Sequence, residues 1–461
     1  MERVNPATEE ALDPIDGDGD ADVEAALADA SDAFESWRDV PMRERQSLLA
    51  DAADVLRENE TEYAELMTRE MGKPISGARA EVEKCAWVCD YYAERAGEHL
   101  RDERVGAEPA SEAEIVYEPL GPILAVMPWN YPFWQVFRFA APHLTAGNVG
   151  LLKHASNVPG CARAIEDVFR EAGYPDGVFQ SLLVDSDALE GIVSDDRVSA
   201  VTLTGSERAG RAVGETAGAE LKKSVLELGG SDPFVVLDDA DVEAAAATGA
   251  RARTLNSGQS CIAAKRFVVH EAVSDEFVEA FVSEMEALDV GDPTAEGTDV
   301  GPQARADLLD DLHDQVKRSV AAGATVETGG EPLDGDGFFY PPTVLTDVPR
   351  DAAVAEEEVF GPVAPVFEVE SEAEAVELAN DTRFGLGGSV WTDDLVRGRR
   401  VAGEIESGSV FVNELTKSDP RLPFGGIGDS GHGRELGRDG IREFVNRKTV
   451  WVQDADGSDG E

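Results

Sequence analysis

The chain has 461 residues, of which 93 are acidic and 40 basic, for a formal charge of −53, and 42% of it is apolar. That apolar share can fill a core, which excludes whole-chain disorder, and the length suggests about three domains at ~150 residues each. A field this negative repels phosphate backbones and anionic lipid surfaces, so no nucleic acid and no membrane is expected as a partner.

Only nine of the 40 basic residues are lysines, and the acidic ones are spread along the whole chain. This pattern fits a salt-adapted (halophilic) protein, because the Debye length falls to ~3 Å at 1 M salt and like charges stop repelling. No stretch reaches 18 consecutive apolar residues, and the start MERVNPATEE lacks the apolar core of a signal peptide. Four cysteines, Cys85, Cys89, Cys161 and Cys261, are too few for a disulfide scaffold. The expected location is cytoplasmic, with reduced thiols.

Taken in chain order, residues 21–102 carry apolar residues at three- and four-residue spacing and read as helices. One of these, over 81–100, holds Cys85 and Cys89 one turn apart, where they read as small core residues. From about residue 115 short apolar runs alternate with helical stretches: GPILAVMPW, GNVGLLKHAS, GVFQSLLV and SAVTLTGS. A second alternating block runs from 227 through DPFVVLDDA, AAKRFVVHEAV, PPTVLTDV and APVFEVE. Strand–helix alternation predicts an α/β fold with two open parallel-sheet lobes and a ligand cleft between them. SEAEIVYEPLG and RKTVWVQDA read as strands outside both lobes, and the tail DADGSDGE as frayed.

Three segments carry candidate chemistry. NSGQSCIAAKR places Cys261 after a Gly–Gln–Ser turn, where a thiol with a lowered pKa or a nearby base would be a nucleophile. LELGGSDP puts Glu227 at a strand end beside Gly229–Gly230, a position from which a carboxylate can activate water. PWNYPFWQVFR sets Asn130 between Pro128 and Pro132, where its amide could donate to an oxyanion. Lys153 ends a strand-like run, and TGSERAG places Gly205, Ser206 and Gly210 between a strand and a helix, where small residues let backbone N–H groups approach a pyrophosphate.

PWN, LLKHA, TGS, LELGG, GQSC, EEVFGP and PFGG follow one another in an order and spacing that resemble the aldehyde dehydrogenase superfamily, from NPATEE to GRELG. The overall length, KHASN and SDPRLPFGG look most like its short succinate-semialdehyde dehydrogenase branch. The resemblance implies that Cys261 attacks the aldehyde carbon, that Asn130 and the Cys261 N–H hold the oxyanion, and that Glu227 activates the water that hydrolyses the thioester. It implies Trp129 and Lys153 on the adenosine side of a dinucleotide, and Glu358 and Phe360 on the nicotinamide side, with core packing as the alternative for Phe360. Many strictly NAD-using members carry Glu at the position of Ser156. A serine there does not repel a 2′-phosphate, so NADP is the expected cofactor, with NAD also possible.

By the same resemblance, Arg138, eight residues after Asn130, is expected to meet a substrate carboxylate, with an ion pair to a nearby acid as the alternative. Ser418 and Lys417 could add to that anion site. A second arginine often found six residues before the nucleophile is Leu255 here, and Arg253 is off register. The expected domains are residues 1–102 with 121–226 for NAD(P) binding, 227–440 for catalysis, and 103–120 with 441–461 as a β oligomerisation arm and tail. A homodimer or homotetramer, an aldehyde substrate and no metal complete the expectation. Other readings stay open: a dehydrogenase for another small aliphatic aldehyde; a CoA-acylating dehydrogenase, which the presence of Glu227 disfavours; a thiol hydrolase, for which no Cys–His pair is apparent; and a catalytically silent homologue, which intact Cys261, Glu227 and Asn130 argue against.

Overall fold

The computed structural model describes residues 1–453 except 2, 109 and 111, so the expected frayed tail lies outside the described residues. Four helices, Asp20–Trp37, Met42–Glu58, Glu60–Met71 and Ile75–His99, lead the chain. Each buries the face its apolar spacing marks out: Leu27, Ala30, Ala33 and Trp37 on the first, Val82, Cys85, Cys89 and Tyr92 on the last. Gly72 ends the third in the left-handed region (φ 76°), where glycine has no steric penalty.

The first lobe holds a six-stranded sheet in the order Gly431–His432, Lys223–Glu227, Ala200–Thr204, Pro122–Met127, Val149–His154, Phe179–Ser181. The last five run parallel. The chain winds outward in both directions from Pro122–Met127, so the crevice beyond the carboxyl ends of Pro122–Met127 and Ala200–Thr204 is a topological switch point, the usual ligand position in such sheets. The second lobe holds a seven-stranded sheet ordered Thr325–Thr328, Thr343–Thr346, Val363–Val369, Ala264–His270, Asp232–Val236, Ser389–Trp391, Phe411–Val412. Its two faces bury separate apolar clusters, around Phe234, Phe267 and Phe281 on one side and Val235, Val268 and Phe367 on the other.

The lobes meet where the chain passes from the end of Lys223–Glu227 through Gly229–Gly230 to the start of Asp232–Val236. The strand Ala264–His270 begins three residues after Cys261. Carboxyl ends of one sheet therefore face amino ends of the other across the cleft. A third, three-stranded sheet pairs Glu112–Pro119 antiparallel with both Val445–Val452 and Glu103–Arg104.

The chain's return differs from the boundary near 440 expected from the sequence. Gly431–His432 pairs antiparallel with Lys223–Glu227, and Phe424, Leu436, Ile441 and Phe444 join the core of the first lobe. A two-residue strand has no periodicity to read, which is why the crossing back was not foreseen. Among the described residues no helix is long and apolar enough to cross a membrane.

Candidate active site

Cys261 sits in a loop folded against its own preferences. Asn256, Ser257 and Gly258 all have left-handed φ, at 57°, 56° and 75°. For Asn and Ser this is strained and persists only where surroundings over-determine it. They do. Ser257 Oγ accepts from Gly301 N (2.9 Å), and Gln259 Oε1 from Ala304 N (2.9 Å). The buried Arg253 donates to the carbonyls of Ala264 (3.0 Å) and Gly258 (2.7 Å). Lys265 Nζ donates to the carbonyls of Ser260 (2.9 Å) and Cys261 (2.6 Å). A side chain at Gly258 would run into the backbone of Gly361. Arg253 is thus a girder of the nucleophile loop and does not line the cleft.

Asn130 joins this loop directly. Its Nδ2 donates to the Gln259 carbonyl (3.0 Å), and Asn256 Nδ2 donates to the Asn130 carbonyl (2.8 Å). Its Oδ1 has no hydrogen-bond partner among the described residues. A Cβ on Gly230 would lie 2.6 Å from the Cys261 carbonyl oxygen, so the glycine turn after Glu227 abuts the nucleophile's backbone. These contacts bring the three distant segments together.

Glu227 is buried at the end of its strand, and neither carboxylate oxygen has a hydrogen-bond partner among the described residues. Burial pushes its carboxyl well above the usual range, and the nearby Glu435 charge adds to this, while Arg138 and Arg434 oppose it. A Cβ on Gly425 would come within 2.6 Å of Glu227 Oε1, so glycine there leaves room for the carboxylate. Burial also pushes the Cys261 thiol up to about 12, with Lys265 and Arg138 opposing. Burial favours the protonated thiol, so forming the thiolate calls for a base to take the proton, helped by cations that stabilise the sulfur anion.

A cavity of about 620 Å³ opens onto Cys261. Arg138, Lys84, Trp134 and Ser418 line it, together with Tyr131 and Phe424; Asn130 and Glu227 are not among the residues that line it. Arg138, proposed from the sequence for a substrate carboxylate, is ion-paired with the buried Glu435. Its Nη2 also donates to Thr204 Oγ1 (3.3 Å), and its guanidinium lies 4.7 Å from the Phe424 ring centre. A buried arginine and a buried glutamate each need the other, and their pairing through Nε leaves the guanidinium still lining the cavity. Ser418 is buried and accepts from Lys84 Nζ (2.8 Å). Lys417 is paired with Glu414 (2.7 Å).

The helix bearing Arg138 begins at Trp134. Glu81 Oε1 accepts from the N–H groups of Phe133 and Trp134 (2.9 Å each), and its other oxygen pairs with Lys73. A carboxylate from another helix therefore caps the helix that carries Trp134 and Arg138. Glu81, Glu435, Lys84 and Lys265 escaped sequence reading because each acts on a partner distant in the chain. Lys84 and Lys265 carried one signal, the rarity of lysine.

The residues at the switch point fit a dinucleotide. Lys153 is buried at the end of Val149–His154 with no salt-bridge partner among the described residues, and burial lowers its pKa, with Asp185 opposing. Ser156 lies exposed three residues on. An anion there would favour the lysine's charged form. Ser206 caps the helix Glu207–Ala219, accepting from Ala209 N (3.4 Å), and a Cβ on Gly205 would meet nothing nearer than 3.7 Å, so the protein itself leaves that approach open. Gly210 differs from its expected role. It is buried, and a side chain there would collide with Leu228, so its smallness seats the helix on the sheet. Across the crevice, Trp129 and Phe360 meet edge to face at 5.8 Å. Glu358 pairs with Lys265 (3.1 Å) and accepts from Gly230 N (3.1 Å).

A model described as the aldehyde dehydrogenase family matches residues 1–450. A probable NADP(+) succinate-semialdehyde dehydrogenase of Synechocystis sp. is 53% identical over 449 residues, 97% of this chain and 99% of the relative. Succinate-semialdehyde dehydrogenase [NADP(+)] 1 of Mycobacterium tuberculosis is 52% identical over 451 residues, again 97% and 99%. Among solved structures, succinic semialdehyde dehydrogenase from Streptococcus pyogenes in complex with NADP+ superposes with a TM-score of 0.96 at 38% identity, covering 98% of this chain and 100% of that one. The protein Gox0499 gives a TM-score of 0.96 at 42% identity, covering 97% and 98%.

Proposed function

The chain belongs to the aldehyde dehydrogenase family, and on that premise we propose that it oxidises succinate semialdehyde to succinate with NADP, NAD being the second choice. The observation that carries this reading is the convergence of the Cys261 loop, Asn130 and the Glu227–Gly230 turn beside one cavity.

In this reading the Cys261 sulfur, once deprotonated, adds to the aldehyde carbon. The Asn130 amide and the Cys261 N–H then carry the oxyanion charge, an arrangement worth ~3–4 kcal/mol in a dry site. NADP, when bound, supplies the nicotinamide that accepts the hydride from this adduct. Lys153, Ser156, Gly205 and Ser206 would hold its nucleotide end, with Trp129, Glu358 and Phe360 lining the crevice. The thioester left on Cys261 is cleaved by water whose proton passes to Glu227. A carboxyl raised by burial suits a base that must work near neutral pH.

The strand Val445–Val452 forms one edge of the three-stranded sheet and offers an open pairing row. It supports the arm as the contact of a dimer or tetramer. The even spread of 93 acidic residues supports adaptation to concentrated salt, which would quench self-repulsion. The test is a panel of aldehydes assayed with both cofactors in high and low salt, with Cys261→Ala as control. Succinate semialdehyde with NADP should give the highest kcat/KM; preference for an uncharged aldehyde would overturn the substrate assignment.

A further inference from the structure

Lys265 is one of nine lysines in 461 residues, and its side chain is 1% exposed. An ammonium has three N–H donors, and burying it is tolerable only where they are used. Three acceptors surround this one: the Ser260 carbonyl (2.9 Å), the Cys261 carbonyl (2.6 Å) and Glu358 Oε1 (3.1 Å). A neutral donor satisfies a carbonyl well enough, as Ala263 N does for Ser260 (3.2 Å). The charge itself calls for a use.

The Ser260 carbonyl and the Cys261 N–H are the two ends of one peptide unit. That unit is planar and its ends point in opposite directions, so fixing the carbonyl fixes the line along which the N–H points. A cation on the carbonyl also polarises the unit and makes its N–H a stronger donor. Glu358 holds the ammonium from the crevice side. It accepts from Gly230 N (3.1 Å), and a Cβ on Gly229 would lie 2.6 Å from its Oε2, so the glycine turn after Glu227 is shaped around this carboxylate.

We propose that Lys265 is a positioning residue of the oxyanion site: anchored by Glu358, it grips the Ser260 carbonyl and so aims and polarises the Cys261 N–H toward the oxygen of the aldehyde adduct. The proposal rests on the reading of Cys261 as nucleophile and of its N–H as an oxyanion donor. Lys265 acts from behind the loop, and it is not among the residues that line the cavity.

The same charge bears on the sulfur. Burial pushes the Cys261 thiol up to about 12, and Lys265 is the foremost group opposing this, with Arg138 behind it, while Glu358 and Asp232 disfavour the thiolate. Tyr131 is the other titratable group beside the sulfur. Removing the ammonium raises the thiol's pKa further, so less thiolate is present at any pH below it.

The experiment compares the wild-type full chain with Lys265→Met and Lys265→Gln in two reactions. The first is alkylation of Cys261 by iodoacetamide without cofactor, followed from neutral to alkaline pH by mass spectrometry of its peptide. It needs the thiolate but forms no oxyanion. The second is the rate of the NADPH burst with succinate semialdehyde, which needs both. At pH 8 Lys265→Met should alkylate roughly tenfold more slowly, with its profile displaced to higher pH. Its burst rate should fall further, by roughly a hundredfold, because a misaimed oxyanion donor is lost as well. NADP affinity, read by tryptophan fluorescence, should stay within about threefold, a change of less than one decade in Kd. Lys265→Gln keeps two N–H donors without the charge. It should alkylate as slowly as Lys265→Met yet recover part of the burst, and it carries the test if Lys265→Met does not fold. Equal falls in the two reactions, or an alkylation profile that does not move, would overturn the proposal. If alkylation silences the wild type but the variants match it in both reactions, only the role of Lys265 falls. If alkylated wild type still turns over, the reading of Cys261 as nucleophile falls with it.

Discussion

The loop of Cys261 and the carboxylate patch around Glu227 share a wall at Gly230, yet they are built in opposite ways. In the loop, backbone and side-chain groups from 256 to 261 are tied to Asn130, Arg253, Lys265, Gly301 and Ala304, which holds three left-handed residues in place. In the patch, two buried glutamates share one ion-paired arginine, with Arg434 nearby, and Glu227 has both oxygens without hydrogen bonds among the described residues. The contrast separates two requirements. A nucleophile must hold its position relative to the oxyanion donors, whereas a base that serves only the second half of the reaction must stay unengaged until water arrives.

The sharpest way to break this contrast is to remove the fixed side. Cys261→Ala should lower dehydrogenase kcat by ~10⁴-fold or more while leaving the melting temperature unchanged, since the loop is held by its backbone and not by sulfur. A residual activity within tenfold of wild type would remove the nucleophile from the account.

On the other side, Arg138→Met should act on stability more than on substrate choice. It leaves Glu435 buried without its partner, and such losses run to ~3–5 kcal/mol, readable in urea unfolding. Adding Glu435→Gln should restore much of it, because the stranded charge is then gone. A variant as stable as wild type that had lost only succinate-semialdehyde affinity would return Arg138 to the role first read from the sequence.

A smaller effect concerns the cofactor crevice. Ser156→Glu places a carboxylate near Lys153, repelling a 2′-phosphate and favouring a free ribose hydroxyl. The ratio of kcat/KM for NADP to that for NAD should fall by roughly tenfold or more, a like-charge penalty of about 1.4 kcal/mol or greater. An unchanged ratio would place the 2′-phosphate elsewhere.

The sequence carried the alternation of strands and helices and the seven ordered motifs, because both are local in the chain. What it missed are partnerships across great chain distances. Lys84 and Ser418 lie 334 positions apart, and Glu81 caps a helix 52 residues on, which is why the helix starts at Trp134. Gly210 was read as leaving space for a phosphate, since a small residue after a strand looks the same whether a ligand or Leu228 fills the gap. Arg138 sat in the expected motif, but sequence could not show that Glu435 folds against it.

The central claim is a thioester on Cys261 that Glu227 resolves. Only the ionised Glu227 can take a proton from water. Because burial raises its pKa, turnover in the wild type should fade as pH drops through that raised value and hold above it. Glu227→Gln isolates the step without changing the side chain's size. Mixed with succinate semialdehyde and NADP and quenched in acid, this variant should show a burst of NADPH near one per subunit. Mass spectrometry should find the acyl group on the peptide carrying Cys261. No burst and an unmodified Cys261 peptide, with turnover still abolished, would contradict the account.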